Sequence, residues 1–160
     1  MRLTDQYFWN IVFTLFFLSL VVSGMIIVES TGIHDFHDIP FSDLVIIMLA
    51  TFRLTRLFVY DKIMAFFREQ FYDAKLVKGV GMTLEKPERG PRRTLADLLS
   101  CPWCISVWMS ATVLFFYALT EYAWYPILFL AVSGVASVFQ VVSNLIGWRA
   151  EQLKRDVEQL

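Results

Sequence analysis

The sequence predicts an all-α integral membrane protein, a bundle of four transmembrane helices with both termini in the cytoplasm. Its 160 residues are 57% hydrophobic and 18% charged, with a mean hydropathy of +0.55, whereas a typical soluble domain is about 45–50% apolar and about 25% charged. Charged residues are absent from 6–28, 98–120 and 122–148. Each gap exceeds the ~20 residues that cross the hydrocarbon core of a bilayer.

The composition also excludes several classes of protein. Aromatic residues make up 16% of the chain and the net charge is only −1, whereas disordered chains have few aromatics and a high net charge. Without a basic excess, a general nucleic-acid binder is not expected. Two cysteines are too few for a disulfide scaffold. We therefore expect residues 1–160 to form a single membrane domain.

The charge-free gaps place three spans at about 8–28, 102–119 and 125–146. The first span is longer than the ~7–15-residue core of a signal peptide, and Val28-Glu29-Ser30 is a poor small-residue cleavage site. We therefore expect it to be retained in the mature protein.

The remaining span, at about 44–60, contains two arginines, Arg53 and Arg56. An arginine at the centre of a helix costs ~2.5–3.5 kcal/mol on insertion scales, so this helix needs neighbours in order to insert. A surface helix is the alternative. Ser42 or Asp43, just after a proline, is the expected helix cap.

Charge distribution predicts the orientation. The four-span arrangement puts all fourteen Lys and Arg on one side, together with both termini, the 61–97 loop and the 149–160 tail. The opposite side has five acidic residues and no basic residue. Because basic residues stay in the cytoplasm, we expect a multi-pass protein of the cytoplasmic membrane with both termini inside. Three spans would instead export the basic tail.

Two features are predicted in the 61–97 loop. Apolar residues at helical spacing predict an amphipathic helix on the membrane surface, or one that packs against the bundle; they are Tyr60, Ile63, Met64, Phe67 and Phe71. The segment Thr94–Asp97 resembles a capping box at the start of a helix.

A basic triplet, Arg89, Arg92 and Arg93, comes just before the third span. Its guanidinium groups are suited to anionic lipid headgroups. Plain anchoring on the cytoplasmic side of the membrane is the alternative.

Polar side chains inside the spans suggest a contact between two helices. Arg53, Arg56 and Tyr60 share one face of the second span. A polar stripe follows helical spacing in the fourth span, and its members are Ser133, Ser137, Gln140 and Asn144. We expect the two faces to meet, with Ser137 and Gln140 at the depth of Arg56. The contact is either structural or a site for an ion, a lipid or a polar ligand.

The segment Cys101-Pro-Trp-Cys104 stands at the start of the third span. Proline suits the first turn of a helix, which puts Cys101 near the cap, where backbone N–H groups lower the pKa of a thiol. Three roles remain open: packing, a metal shared between subunits, and redox chemistry. The predicted location in the reducing cytoplasm, and the lack of a second cysteine pair, weigh against redox chemistry.

Metal and cofactor sites are not expected elsewhere. The cluster His34-Asp35-Phe36-His37-Asp38 contains metal-ligating residue types, but it is short and lies in a predicted outer loop, so we interpret it as a solvated loop. The sequence contains no phosphate-binding glycine loop and no credible catalytic triad. We expect no metal and no cofactor.

Several of these motifs carry a resemblance to a known family. Ala50–Arg56 (ATFRLTR), Asp61–Ile63, Phe67-Arg68 and Gly90–Cys104 with Trp108 resemble a family of small bacterial and phage membrane proteins of unknown function, which includes a sporulation-associated membrane protein. The resemblance covers roughly 44–111, and Ile105-Ser106 departs from it where a small residue is expected. It implies a location in the bacterial inner membrane. It also implies one shared site on the inner face, formed by Arg53, Arg56, Asp61, Arg93, Cys101 and Cys104.

The sequence favours a non-enzymatic role in an oligomeric or anchoring assembly that acts through the basic cytoplasmic face. The expected partners are the bilayer and its anionic lipids, together with a second copy or a cytoplasmic protein. The tail supplies Leu153, Val157 and Leu160 on one side of a helix. A pore-forming or holin-like effector and a membrane thiol–disulfide oxidoreductase are the alternatives.

Overall fold

The computed structural model describes residues 3–31, 39–77 and 81–158, and this part of the chain is mostly helical. The helices are α1 (Leu3–Thr31), α2 (Phe41–Val59), α3 (Ala65–Glu69), α4 (Pro91–Ser100), α5 (Pro102–Leu119) and α6 (Trp124–Glu158). Two strands, β1 (Asp73–Val77) and β2 (Gly81–Glu85), form an antiparallel pair in which Asp73 faces Glu85. Short 3₁₀ turns at Lys62–Met64 and Glu121–Ala123 precede α3 and α6.

Among the described residues, three segments are long and apolar enough to cross a membrane: Gln6–Thr31, Pro102–Leu119 and Glu121–Val157. They correspond to the first, third and fourth predicted spans. Helix α2 is not among them, because it carries Asp43, Arg53 and Arg56. Helix α6 has 35 residues and continues unbroken through the predicted end of the fourth span into the basic tail. The tail is therefore an extension of a helix that is apolar enough to span a membrane.

Helix α2 lies between α5 and α6, while α1 packs beside α5 and α4. Apolar side chains of α2, α5 and α6 form the core near the turn that joins α5 to α6. Its buried members are Ile47, Ala50, Val113, Tyr117, Ala123, Ile127 and Ala131. Helix α2 thus packs against both α5 and α6, although it carries Asp43, Arg53 and Arg56.

Contacts along the helices define their directions. Near its middle, α1 places Phe17 against Trp108, with ring centroids 4.7 Å apart, and nearer its end Gly24 lies against Phe115. These pairs advance together along α1 and α5, so the two helices are parallel. Helix α2 begins beside the end of α5, where the Tyr117 hydroxyl donates to Asp43. It therefore runs in the opposite direction.

The predicted amphipathic surface helix is wrong in extent. The segment after α2 forms a 3₁₀ turn and a five-residue helix, followed by the β1–β2 hairpin, which the sequence analysis did not predict. The reason is that the segment folds back onto the end of α2. Phe67 packs edge-on against Phe58 at 6.2 Å and against Phe71 at 5.5 Å. The alternative, packing against the bundle, describes this part of the face.

Two predicted helix caps are also wrong. Helix α2 begins at Phe41 with Pro40 as its N-cap, and neither Ser42 nor Asp43 caps it. Asp43 instead accepts the Tyr117 hydroxyl at 2.6 Å. Helix α4 begins at Pro91, because Gly90, with φ of 91°, turns the chain there. Thr94 is thus already inside the helix and forms no capping box.

Candidate functional site

Arg53 occupies the contact between α2 and α6. Its Nε donates to the Ser133 hydroxyl at 2.9 Å, and its Nη1 lies 2.9 Å from a carboxylate oxygen of Asp61. The Arg53 side chain is 20% exposed and that of Asp61 is 29% exposed. Burial of a charge is costly unless the charge is paired and hydrogen-bonded, and Arg53 satisfies both conditions. The guanidinium therefore joins α2, α6 and the segment that follows α2.

Arg68 extends this cluster. Its Nη1 donates to the main-chain oxygen of Phe58 at 2.7 Å and to that of Asp61 at 3.1 Å. The last carbonyl groups of a helix lack partners within the helix, and a cation is favourable at this negative end of the helix dipole. Arg68 thus fixes the chain reversal that brings the Asp61 carboxylate back toward Arg53.

Arg56 has a different environment from Arg53. Its guanidinium lies 5.9 Å from the ring centroid of Phe52 and 5.5 Å from that of Tyr60, which is the range of cation–π interactions. Its Nε is buried and, among the residues that the structure describes, has no hydrogen-bond partner. Arg56 and Tyr60 therefore do share a face of α2.

Only part of the polar stripe of α6 reaches α2. Ser133 contacts Arg53, but Ser137 donates to the main-chain oxygen of Ser133 at 2.8 Å. Gln140 donates to Asn144 within α6 at 3.3 Å. The described part of the chain shows no hydrogen bond from Gln140 or Asn144 to either arginine. The two predicted faces therefore meet through Arg53 and Ser133, and the described residues show no hydrogen bond between Arg56 and Ser137 or Gln140.

A second charged cluster surrounds Asp97 on α4. The carboxylate accepts Lys86 Nζ at 2.8 Å and Arg93 Nε at 2.8 Å. Lys86 also donates to the Ser100 hydroxyl at 2.8 Å. Partial burial raises the pKa of Asp97, but the hydrogen bonds from Lys86 and Arg93 outweigh it and hold the pKa below its ordinary value. The cluster fixes the end of α4 against the segment before it.

The cysteine pair follows this cluster directly. Cys101 is the N-cap of α5, and its sulfur accepts the main-chain N–H of Cys104 at 3.3 Å. The two sulfur atoms are 2.7 Å apart, and both cysteines are free. The side-chain hydrogen bond from Cys104 lowers the pKa of the Cys101 thiol, with smaller contributions from main-chain N–H groups and the charge of Lys86. The predicted placement of this pair at the helix start is confirmed.

Two of the three arginines expected at lipid headgroups have protein partners. Arg92 pairs with Asp73 at 3.1 Å and donates to the main-chain oxygen of Gln70 at 3.0 Å, so it holds the hairpin to α4. Arg93 pairs with Asp97. Arg89 is exposed. A headgroup contact therefore remains an expectation mainly for Arg89.

A cavity that was not predicted from the sequence lies beside the start of α2 and the turn that joins α5 to α6. It has a volume of about 400 Å³. Its lining consists of Asp43, Tyr117, Thr120, Glu121, Tyr122, Trp124 and Tyr125. The available signal was the pairing of acidic residues with aromatic residues at the ends of the spans, which is also the usual composition of a membrane interface.

Metal binding has limited support. Within the described ranges, no group of three or more His, Cys, Asp and Glu side chains is placed to hold a metal ion. The cluster from His34 to Asp38 lies outside the described residues. A metal ligand set is therefore not available from the described part of one chain.

Comparison with known proteins places these clusters in a family. The model of a protein family of unknown function, DUF1360, matches residues 46–143. The chain belongs to the DUF1360 family. The matched part of this DUF1360 protein contains Arg53, both charged clusters and the cysteine pair. All of α1 and the end of α6 lie outside it. The matched segment is longer than the range 44–111 over which the sequence resembles a family of unknown function. The match confirms that the chain belongs to a family of unknown function.

Two curated relatives come from Bacillus subtilis strain 168. The sporulation protein YjcA is 35% identical over 104 residues, covering 62% of this chain and 88% of the relative. The UPF0713 protein YngL is 31% identical over 104 residues, covering 64% of this chain and 78% of the relative. No solved structure matches the chain. The protein thus belongs to a family of unknown function and has a sporulation-associated relative. Its three described apolar helices are consistent with a membrane protein.

Proposed function

We propose that this protein is a non-enzymatic component of the bacterial cytoplasmic membrane that crosses the bilayer four times and assembles with a second copy through the inner half of α6. The assembly would present the basic cytoplasmic surface to lipids and to protein partners. The observation that carries the proposal is the exposure of polar amide groups on α6 at membrane depth. The number of crossings and the orientation are supported first.

Helix α2 has the contacts that a polar transmembrane helix requires. It packs between two apolar helices, α5 and α6, along its length. Ionisable residues within a membrane pair with one another and face the bundle interior, and Arg53 pairs with Asp61 and Ser133 in this way. The long side chain of Arg53 also allows its guanidinium to extend toward the inner end of the helix. These contacts support insertion of α2 as a fourth span.

The charge distribution supports an orientation with both termini inside. Four crossings place all fourteen basic residues on one side of the membrane, as the positive-inside rule expects. The helix directions are compatible, because α1 runs parallel to α5 and α2 runs against them. The hairpin and α4 then lie in the cytoplasm together with the end of α6.

The inner half of α6 lacks partners within the described chain. Every described residue from 138 to 157 is exposed. Interfacial tryptophans mark the membrane boundaries, and Trp124 and Trp148 are 24 residues apart, or about 36 Å at 1.5 Å per residue. Gln140 lies about 12 Å on the membrane side of Trp148 by the same rise. The Gln140 amide has a bond within α6, to Asn144, but no water is available there for its remaining donor and acceptor.

A second copy is the partner that fits these amides. A side-chain amide both donates and accepts hydrogen bonds, so Gln140 and Asn144 can bond to the same residues across a two-fold axis. One turn further on, a Cβ atom added to Gly147 would meet nothing within 4 Å. Small residues of this kind allow two membrane helices to approach closely. We therefore propose that the α6 helices of two copies pack in parallel along the face that carries Gln140, Asn144 and Gly147.

Disulfide cross-linking in native membranes tests the contact. The two native cysteines are changed to serine, and Gln140→Cys or Val142→Cys is added, so that each chain carries one thiol. Residue 142 lies about 200° around the helix from residue 140, at 100° per residue. Mild oxidation is expected to give a dimer with Gln140→Cys and little or none with Val142→Cys. Equal yields from both variants, or no dimer from either, would refute the proposed contact.

A mass measurement in nanodiscs gives an independent test. The wild-type protein is expected to contain two copies, and Gln140→Leu with Asn144→Leu is expected to shift it toward one copy. Val142→Leu is the matched control, because it changes an exposed residue on another side of the same helix.

The low exposure and pairing of Arg53 favour assembly over the pore alternative, since a pore-lining arginine would face water.

A further inference from the structure

The cysteine pair has chemistry that an assembly role does not use. The two sulfur atoms lie 2.7 Å apart at the start of α5 and are not joined by a disulfide bond. They are the only two cysteines of the chain. Cys104 is exposed and Cys101 is half-buried, so neither thiol is enclosed in the core. Sulfur atoms at this separation can form a disulfide with each other with only a small shift of the side chains.

The surroundings favour a reactive thiolate at Cys101. Cys101 is the N-cap of an 18-residue helix, where N–H groups point toward the sulfur. The main-chain N–H of Cys104 donates to that sulfur at 3.3 Å. Lys86, held by Asp97 and Ser100, adds a positive charge nearby. The Cys104 thiol also donates to the Cys101 sulfur at 2.7 Å, and this bond, with smaller contributions from the main-chain N–H groups and Lys86, lowers the pKa of the Cys101 thiol.

We propose that Cys101 and Cys104 form a thiol–disulfide exchange site that reduces disulfides at the inner surface of the membrane. The substrate class is a disulfide, carried either by a low-molecular-weight thiol or by a protein. Trp103 stands between the two cysteines and is 83% exposed, so an apolar surface for substrate contact lies beside the reacting sulfurs. The inference goes beyond the assembly role and does not depend on it, although the location at the inner surface rests on the orientation proposed above.

The reaction balances in two steps. The Cys101 thiolate attacks one sulfur of the substrate disulfide, which breaks the sulfur–sulfur bond, forms a mixed disulfide with Cys101 and releases the first substrate thiolate. Cys104 then loses its proton to solvent and attacks the sulfur of Cys101. This forms the Cys101–Cys104 disulfide and releases the second substrate thiolate. Two electrons pass from the cysteine pair to the substrate, and a cytosolic dithiol would return the pair to its reduced form.

Glutathione disulfide is a suitable probe for the full-length protein in nanodiscs. The reduced protein is incubated with reduced and oxidised glutathione at a series of ratios, and free thiols are counted by maleimide labelling and intact mass. We expect wild-type protein to pass from two free thiols to none, with loss of two hydrogen atoms and no bound glutathione. Cys104→Ser is expected to retain one glutathione on Cys101, because no second thiol is present to release it.

The matched variant Cys101→Ser tests which thiol attacks first. Its remaining Cys104 is expected to acquire glutathione several-fold more slowly than Cys101 does in Cys104→Ser, because Cys101 has the stabilised thiolate. The proposal fails if wild-type protein keeps both thiols at every ratio, if it accumulates glutathione, or if the two variants react equally fast. The proposal would also be overturned if the thiols reacted with maleimide only after a chelator was added, because that result would show that they bind a metal. Cross-linking at residue 140 is unaffected by any of these outcomes.

Discussion

The guanidinium of Arg53 and the carboxylate of Asp61 lie 2.9 Å apart, which joins the middle of α2 to the segment beyond its end. The same guanidinium donates to Ser133 of α6. The charge that argues most strongly against a membrane location for α2 is therefore the group that ties α2 to its surroundings. Loss of either partner leaves the other charge in a site that is mostly withdrawn from solvent.

We predict that Asp61→Asn destabilises the protein by roughly 1.5–3 kcal/mol, the range for a hydrogen bond to a charged group. Arg53 would keep its bond to Ser133 but lose its counter-charge. SDS-induced unfolding in mixed micelles, followed by circular dichroism, measures the change. The double variant Asp61→Asn with Arg53→Met should lose less stability than the sum of the losses in the two single variants, because each substitution removes the same interaction.

An exposed ion pair provides the control for this prediction. Glu151 and Arg155 form an i,i+4 pair on α6, with side chains 61% and 70% exposed. Exposed helical pairs contribute only about 0.3–0.5 kcal/mol, so Glu151→Gln should have little effect. If Asp61→Asn and Glu151→Gln had the same small effect, the Arg53–Asp61 pair would not hold the bundle together.

A second prediction concerns the opposite end of α2. The Tyr117 hydroxyl donates to Asp43 at 2.6 Å, and the Tyr117 ring is part of the core. Tyr117→Phe keeps the ring and removes this donor to the carboxylate, so we expect a loss of roughly 1–3 kcal/mol. Tyr122→Phe, at a residue that is 82% exposed, should change the unfolding free energy much less. Thermal unfolding of both variants in detergent separates the two cases.

The sequence predicted those parts of the fold that depend on composition and local spacing. Three apolar helices and the placement of Cys101 at the cap of α5 follow from runs of residue types. The contact between α2 and the polar stripe of α6 was predicted, but not that Arg53 would meet Ser133. The prediction matched the depths of the residues in the membrane by the rise per residue alone. In the structure the close approach at Gly134 pairs Arg53 with the first serine of the stripe.

The loop features were not predictable in the same way, because they depend on contacts distant in sequence. The amphipathic segment ends early because Arg68 bonds to Phe58 and Asp61 and reverses the chain. Thr94 matched a capping pattern, but Gly90 starts the helix one turn sooner, and Thr94 donates to Asn10 of α1 instead. Local patterns cannot show which partner a polar side chain will meet across the bundle.

A third prediction concerns pH. Hydrogen bonds from Lys86 and Arg93 lower the pKa of Asp97 from its ordinary value of 3.8. The stabilisation is therefore fully present above that value and is lost as the pH falls through the lower pKa of the folded state. We expect the difference in unfolding free energy between wild type and Asp97→Asn to be constant above about pH 5 and to shrink below about pH 4.

The pH dependence is measured by denaturant unfolding in detergent across this range. Lys86→Met removes one of the two donors, so it should reduce the pH-dependent part of the difference and leave some of it through Arg93. Parallel curves for wild type and Asp97→Asn at every pH would show that the carboxylate gains nothing from its neighbours in the folded state.

The last prediction uses two glycines of the same helix. A Cβ atom at Gly134 would lie 2.7 Å from the carbonyl oxygen of Leu49 and 3.4 Å from the Cβ of Arg53. Gly134→Ala must therefore push α2 and α6 apart, at a cost of roughly 1–3 kcal/mol, and should weaken the Arg53–Ser133 bond. At Gly147 an added Cβ meets nothing within 4 Å, so in the monomer Gly147→Ala should stabilise the helix by about 0.5–1 kcal/mol. Unfolding in detergent at dilutions that favour single chains measures both signs, and stabilisation by Gly134→Ala would contradict the close packing of α2 on α6.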